Sequence, residues 1–326
     1  MPANVETMAY VGEVPWHGQG AEVPPSVSAG EMIRAAGLDW TVEKRPARGY
    51  PPIKKKGKPE TYARYEIVRV PRADTEEQEV VLGMVTERYE PLQNTDAFSF
   101  FDPIVDQKTI TFETAGALGA GERVWVLAKM PDVIHVVRGD DCEKYLLLSN
   151  THSGKGAVIV KFTAVRVVCQ NTLMLSLTDG QHAFRVRHSR KMSERLDEIG
   201  NLVAEVNAAY EKAAEAFRHL AHVGVKSDAV LGEYLAALFP RSKAQERDLT
   251  TPPAWDKVKR LFETRDDLQS PGVKGTWWAA YNAVTAFEDH RQVRDDTAGK
   301  RLDRICFGRG AELKVKALNE AVRLAG

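Results

Sequence analysis

The chain contains little cysteine: Cys142, Cys169 and Cys306 are the only three in 326 residues. They lie far apart, so they form neither a CxxC metal-binding pair nor the dense disulfide framework of a small secreted protein. No apolar run is long enough to cross a membrane as a helix. The first residues lack the basic and apolar segments of a signal peptide. These absences predict a soluble protein of a reducing cytoplasm with no membrane partner.

Motifs for nucleotide, metal and acyl-transfer chemistry are also missing. There is no GxxxxGK(S/T) phosphate loop, no HExxH, no GxSxG and no EF-hand loop. The glycine-rich string at 116–121 precedes a predicted strand, whereas a dinucleotide loop follows a strand and opens a helix. Three histidines show no metal-ligand spacing toward the cysteines: His152, His182 and His188. The sequence therefore predicts no bound metal and no cofactor, and it disfavours an enzyme.

Charge is balanced overall but segregated along the chain, which has 45 Lys and Arg and 45 Asp and Glu. Residues 41–72 carry ten basic residues against three acidic ones, and residues 155–191 carry seven against one. Clustered cations of this kind can form a surface for a polyanion. A solvated loop and ordinary strand edges explain the same pattern, so both interpretations stay open.

The hydrophobic pattern changes near residue 190. Before it, short β-rich runs alternate with turns, and after it helical spacing dominates. This change predicts an α+β fold, with a mixed, largely antiparallel sheet in residues 1–190 and a helical region in residues 191–326. A Pro-, Gly- and Lys-rich stretch at 48–59 is predicted to be a mobile basic loop.

Two asparagines in the first half are predicted to cap helices. Asn94 begins a predicted helix over residues 94–105, and Asn171 precedes one over residues 172–177. Asparagine is favoured at this position because its side-chain oxygen accepts a hydrogen bond from a backbone N–H of the first turn.

The clearest periodic signal lies in residues 191–222. Eight apolar residues are separated alternately by three and four positions: Leu196, Ile199, Val203, Val206, Tyr210, Ala213, Phe217 and Leu220. This spacing predicts a continuous helix whose narrow apolar seam packs on one partner helix. The partner is expected within the same chain, and a homo-oligomer is the alternative.

Four short strings stand out. They are WHGQG, with Trp16, His17, Gly18 and Gly20; VCQNT, with Cys169, Asn171 and Thr172; RHS, with Arg187 and His188; and GTWWAAYN, with Trp278, Tyr281 and Asn282. In this order they resemble the phage/plasmid-like family of unknown function found in bacteriophages, plasmids and bacterial genomes. The resemblance covers nearly the whole chain. It implies a phage or mobile-element origin and the cytoplasm of a bacterial host cell, but it implies no activity.

The favoured hypothesis is binding of single-stranded nucleic acid, in annealing or recombination. A mixed sheet followed by one long helix is similar to the element order of phage single-strand annealing recombinases, which is an analogy of architecture alone. Such binding needs cations that follow the nucleic-acid backbone. The candidate contacts are Lys54, Lys55, Lys56, Arg64, Lys161, Arg166, Arg185 and Arg187.

Two other classes of protein remain as alternatives. A self-assembling or host-interaction protein would use the apolar seam of the long helix. An enzyme would use His17, Cys169, or the adjacent Asp289 and His290. Retention on a heparin or single-stranded DNA resin, with and without salt, discriminates between these classes.

Overall fold

The computed structural model describes residues 5–12, 20–53, 60–101, 110–166, 171–174, 184–192, 194, 196, 203–290, 304–305 and 308–326. Its description of residues 166, 171–174 and 203–209 covers the backbone alone. Several sequence predictions therefore lie outside the described residues, namely those on Trp16, His17, Gly18, Lys54, Lys55, Lys56 and Cys169.

The strands alternate with two short helices through the first 190 residues. The strands are β1 (Val5–Val11), β2 (Ala21–Val23), β3 (Thr41–Pro46), β4 (Pro52–Ile53), β5 (Thr61–Tyr62), β6 (Tyr65–Val70), β7 (Val80–Val85), β8 (Thr111–Leu118), β9 (Arg123–Val137), β10 (Asp140–Thr151), β11 (Val158–Arg166), β12 (Asn171–Met174) and β13 (Phe184–Val186). The two helices are α1 (Ala29–Ala35) and α2 (Asn94–Ser99).

Helices dominate the rest of the described chain. They are α3 (Val203–His222), α4 (Asp228–Leu238), α5 (Lys243–Arg247), α6 (Pro253–Thr264), α7 (Trp277–His290) and α8 (Arg309–Ala325), with a 3-10 turn at Asp266–Leu268. Strands in the first half and helices in the second confirm the predicted α+β class.

The largest sheet has the strand order β12-β11-β10-β9-β8-β1-β2, and β13 pairs with β11 beside this path. The β1–β2 pair is parallel, whereas β8 pairs antiparallel with β1 and with β9. A second, antiparallel sheet has the order β3-β6-β7, and β4 pairs with β5. The sheet is therefore mixed and mostly antiparallel, as predicted.

The chain forms two compact units, each assembled from three stretches. Unit 1 comprises Met1–Pro131, Tyr145–Lys161 and Ala183–Ala204, and unit 2 comprises Asp132–Lys144, Phe162–His182 and Glu205–Gly326. The predicted domain boundary near residue 190 remains a prediction.

The apolar seam of the long helix is buried wherever its side chains are described. Tyr210, Ala213, Phe217 and Leu220 of α3 are all buried, as is Leu196 before it. The Phe217 ring lies 4.9 Å from that of Trp278 on α7, so this part of the seam packs within unit 2. The structure thus confirms a helix from 203 to 222, and its predicted continuity back to residue 191 falls partly outside the described residues.

The prediction of a helix after Asn171 is wrong for the part that is described. Asn171–Met174 forms strand β12, which runs antiparallel to β11 with Asn171 opposite Arg166 and Met174 opposite Thr163. The backbone groups that a cap would satisfy are instead used in a sheet ladder. Tertiary pairing has overridden a local capping signal.

The prediction that Asn94 caps α2 is also wrong. Gln93 occupies the N-cap position, and Asn94 is the first residue of the helix. The Asn94 side chain is buried, and its Nδ2 donates to the Leu38 carbonyl at 2.9 Å. The asparagine therefore serves the interior of unit 1 rather than the end of the helix.

Candidate nucleic-acid interface

Most described cations of the first basic segment are neutralised by carboxylates. The Arg45 guanidinium donates two hydrogen bonds to Glu79, at 2.7 and 2.8 Å, and holds the pKa of that carboxyl below its ordinary value. Arg69 and Arg72 are paired in the same way, with Glu6, Glu77, Asp39 and Asp74. The positive excess of residues 41–72 is thus much reduced at the surface. Arg64 is exposed and has no ion-pair partner among the described residues.

The second basic segment behaves differently. Arg185 and Arg187, on and just after β13, are exposed, whereas Val186 between them is buried. Further exposed cations of unit 1 lie nearby in sequence or in space. With these two arginines, they form what we call the basic surface: Arg88, Lys155, Arg185, Arg187, Arg190 and Lys191. None of the six has an ion-pair partner among the described residues.

Strand pairing brings part of this surface together. β13 runs antiparallel to the start of β11, with Val186 opposite Val158. Lys155 precedes Val158 and Arg187 follows Val186, so both leave this pair of strands at the same end. Their proximity follows from the register and not from their separation of 32 positions in the sequence.

A second connection joins Arg88 to Arg190. The backbone N–H of Glu90 donates to the His188 carbonyl at 3.4 Å, and His188 Nδ1 donates to the Glu90 carbonyl at 3.1 Å. The His188 ring also stacks on Tyr89, with centroids 4.5 Å apart. Beside this contact lies a cavity of about 430 Å³ lined by Glu87, Arg88, Ser189 and Arg190. His188 therefore holds the RHS string against the segment after β7.

The turn that carries Lys155 also packs on β7. A Cβ built on Gly83 would lie 2.3 Å from the Ser153 carbonyl oxygen, which no side chain tolerates. Glycine at position 83 lets the backbones of β7 and of this turn approach each other closely. Met84, the next residue of β7, and Val81 are exposed apolar side chains on this strand.

His152 is the centre of a buried polar cluster in unit 1. Its Nε2 lies 3.1 Å from Asn94 Oδ1, and its ring is edge-on to Trp40 with centroids 5.4 Å apart. Because Asn94 directs its Nδ2 to a carbonyl, its Oδ1 accepts from His152, so the proton of this imidazole is on Nε2. Nδ1 of His152 and Nε2 of His188 are buried acceptors without a partner among the described residues.

Burial keeps both histidines neutral. Loss of hydration lowers the pKa of His152 from 6.5 to about 3, with a smaller contribution from His188. The same cause lowers the pKa of His188 from 6.5 to about 4, against an opposing hydrogen bond to the Glu90 carbonyl. Neutral imidazoles in this position add no positive charge to the basic surface at neutral pH.

We expect these two histidines to make the protein less stable in mild acid. Their folded pKa values lie below the unfolded value of 6.5, so their contribution is complete above pH 6.5 and is lost as the pH falls toward the folded values. Between pH 6.5 and about 5, the free energy of unfolding should fall by up to about 1.4 kcal/mol per pH unit for each histidine.

Denaturant titrations across this pH range measure the effect. His188→Gln should remove its share of the slope, and Ser189→Ala, which changes the neighbouring residue without changing a titratable group, is the matched control that should leave the slope unchanged. A free energy of unfolding that stays constant from pH 6.5 to about 5 would contradict the expectation.

Comparison with known protein families identifies the family of this chain. A family described as Domain of unknown function (DUF932) matches residues 81–306, which is more than half of the chain. The protein belongs to this family. No curated protein and no solved structure matches the chain.

The DUF932 range includes three of the four strings, and WHGQG lies before it. Trp278, Tyr281 and Asn282 are fully buried in α7, so the GTWWAAYN string builds the interior of unit 2. His188 anchors the RHS string as described above. Of WHGQG, the structure describes Gly20, which lines a cavity of about 420 Å³ with Thr7, Arg34 and Gly37 among its other walls.

The remaining predicted nucleic-acid contacts are Lys161 and Arg166. Lys161 is 2% exposed, and such a buried ammonium cannot reach a phosphate, so it does not join the basic surface. Arg166 ends β11, where the backbone alone is described. Arg88 was not predicted as a contact, because sequence spacing does not show that Glu90 and His188 bind each other.

Two findings concern metals and membranes. Among the described residues, no group of three or more His, Cys, Asp or Glu side chains is arranged to hold a metal ion. No helix in the described part of the chain is long and apolar enough to cross a membrane.

Proposed function

We propose that the protein binds single-stranded nucleic acid through the basic surface of unit 1. The observation that carries the proposal is the set of exposed arginines and lysines of the basic surface, none of them in an ion pair among the described residues. Two of them, Arg88 and Arg190, line the cavity beside His188 together with Glu87 and Ser189. A nucleic acid carries condensed cations, and arginines and lysines that neutralise its phosphates release those ions, which makes the entropy of binding favourable.

The neighbouring side chains favour a single strand over a duplex. Val81 and Met84 expose apolar surface on β7, the strand on which the Lys155 turn packs. Unstacked bases offer apolar faces to such side chains, whereas the bases of a duplex are already stacked. Arginine guanidiniums can also stack on exposed bases while they bind phosphates. Lys54, Lys55 and Lys56 remain predicted contacts outside the described residues.

The proposal includes a biological setting. The four strings resemble the phage/plasmid-like family, and we propose an origin in a phage or mobile element and a role in the bacterial cytoplasm. Annealing or recombination of single strands is the step that this setting favours.

Two alternatives find less support in the structure. The described part of the α3 seam is covered within unit 2, so it is not open to a second subunit. The Asp289 carboxylate proposed for an enzyme is buried and bonds Lys314 at 2.6 Å. Neither arrangement supports assembly through the seam or catalysis at Asp289.

We expect Arg187→Ala with Arg190→Ala to weaken binding of all sequences alike. Each lost phosphate contact should reduce the slope of log affinity against log salt by about 0.7. If the variant and the unmodified protein bind equally at about 1 M salt, a slope difference of about 0.7 corresponds to about an eightfold loss of affinity per contact at about 50 mM salt. Fluorescence anisotropy of a labelled single strand of about 30 nucleotides, measured over a salt series, gives both quantities.

Arg247→Ala with Arg323→Ala is the matched control, because it removes an equal charge from two exposed arginines that are already paired with carboxylates, Arg247 with Asp248 and Arg323 with Glu320 and Glu233. Its affinity and slope should equal those of the unmodified protein. Absence of binding by the unmodified protein at low salt would refute the proposal. Equal losses in this control and in the Arg187 and Arg190 double variant would assign the effect to net charge and reject this surface.

A further inference from the structure

Unit 2 contains a cavity of about 540 Å³ whose walls differ sharply in polarity. Lys257, Arg260 and Arg265 line it with cationic groups, and His290 lies at its edge as the last residue of α7. The other walls are Leu261, Ala286 and Phe287. This volume lies within the range of small-molecule sites, which combine apolar walls with a few polar groups.

The cationic wall belongs to one helix and the turn after it. Lys257, Arg260 and Leu261 are separated by three and four positions, so they share one face of α6. Lys257 and Arg260 have no ion-pair partner among the described residues. Arg265 is fixed by a hydrogen bond from its Nε to Asp267 at 2.6 Å. The four N–H donors of its two terminal nitrogens are not used in this bond and can bind an anion.

The opposite face of α6 shows what an ordinary surface lysine does in this protein. Lys259 bonds Asp228 at 2.8 Å and lies 3.7 Å from Glu263, and these carboxylates raise its pKa. Thus the lysine that points away from the cavity is neutralised, while the two cations that line it are not. The described residues that line the cavity include no carboxylate.

The apolar wall is preformed by α7. Ala286 and Phe287 are buried, and the Phe287 ring packs edge-on against Phe239 with centroids 5.8 Å apart. A wall held in the interior of a unit keeps its shape when a ligand leaves or enters. An apolar or ring-shaped group against this wall would place an attached anion beside Lys257 and Arg260.

We infer that this cavity binds a small phosphate monoester whose phosphate is attached to an apolar or ring-shaped group. A phosphate monoester carries close to two negative charges near neutral pH, and arginine binds its oxygens in a two-pronged geometry. The inference is independent of the nucleic-acid proposal, because the basic surface belongs to unit 1 and this cavity to unit 2. An experiment that refutes the nucleic-acid proposal therefore does not refute this inference, and the reverse also holds.

Isothermal titration calorimetry of the full chain tests the inference, with adenosine 5′-monophosphate, adenosine and inorganic phosphate as probes. The monophosphate should bind most tightly, since it alone of the three probes can contact both the cationic wall and the apolar wall. Lys257→Ala with Arg260→Ala should weaken its binding at least about tenfold, since two charge-assisted contacts are lost. Leu261→Ala should weaken the monophosphate and leave inorganic phosphate unchanged.

Lys259→Ala is the matched control, because it removes a charge from the same helix without touching the cavity. Its affinity for the monophosphate should be unchanged, and circular dichroism should show that every variant folds. No measurable binding of the monophosphate, or equal binding by the Lys257 and Arg260 double variant, overturns the inference. Binding of an unphosphorylated oligonucleotide through these two cations, without binding of the monophosphate, also overturns it.

Discussion

Phe217→Ala is expected to lower the free energy of unfolding by about 3–5 kcal/mol. The ring is fully buried on α3, and it packs against the rings of Trp278 and Tyr281, with centroid separations of 4.9 and 6.4 Å. Both partners are themselves fully buried in α7. Because the surrounding rings are held by the rest of the helix, they cannot collapse into the space that the alanine leaves.

Urea denaturation followed by helical circular dichroism measures this loss. Glu215→Ala, at an exposed position of the same helix, is the matched control and should change the free energy of unfolding by less than about 0.5 kcal/mol. Phe217→Leu should cost less than Phe217→Ala, since it retains most of the apolar volume. A loss for Phe217→Ala no larger than that of Glu215→Ala would show that α3 does not pack through this face.

Hydrophobic spacing was a good guide to the fold because it reports burial directly. The alternation of three and four positions predicted which residues of α3 face inward, and the described ones do so. Capping signals were a poorer guide. Asn94 and Asn171 have the right residue type for a cap, but in the structure both interact with distant partners instead. The Asn94 side chain donates to the Leu38 carbonyl, and Asn171 pairs with strand β11.

Charge in the sequence was a partial guide to the candidate interface. The first basic segment looked as strong as the second, yet Arg45, Arg69 and Arg72 each bind carboxylates, some of them more than 30 residues away. Such pairings depend on the sheet β3-β6-β7 and cannot be counted in a sequence window. Conversely, Arg88 joins the basic surface through a contact between Glu90 and His188, which are 98 positions apart.

The strings of the family resemblance have different physical roles where the structure describes them. Trp278, Tyr281 and Asn282 are interior residues, and their regular helical spacing already indicated this. His188 is a positioning residue, because its stacking on Tyr89 fixes the backbone that bears Arg187 and Arg190. A sequence shows that a histidine lies between two arginines, but the stacking partner is visible only in the fold.

Asp289→Ala is expected to destabilise the protein as strongly as Phe217→Ala, by about 3–5 kcal/mol. Lys314 Nζ is fully buried and lies 2.6 Å from Asp289 Oδ1, which is itself almost fully buried. Removal of the carboxylate leaves an ammonium in the interior of unit 2 without its counterion. The cost arises from that unpaired charge and not from the net strength of the pair.

Chemical denaturation of the Asp289→Ala variant and of a double variant without either charge separates these two quantities. Asp289→Leu with Lys314→Met removes both charges and should recover most of the loss, because apolar groups of similar size need no desolvation. Lys259→Ala, which breaks an exposed Lys–Asp pair of 2.8 Å, should cost less than about 1 kcal/mol. A double variant no more stable than Asp289→Ala would contradict the explanation, since the two losses would then not share one buried charge.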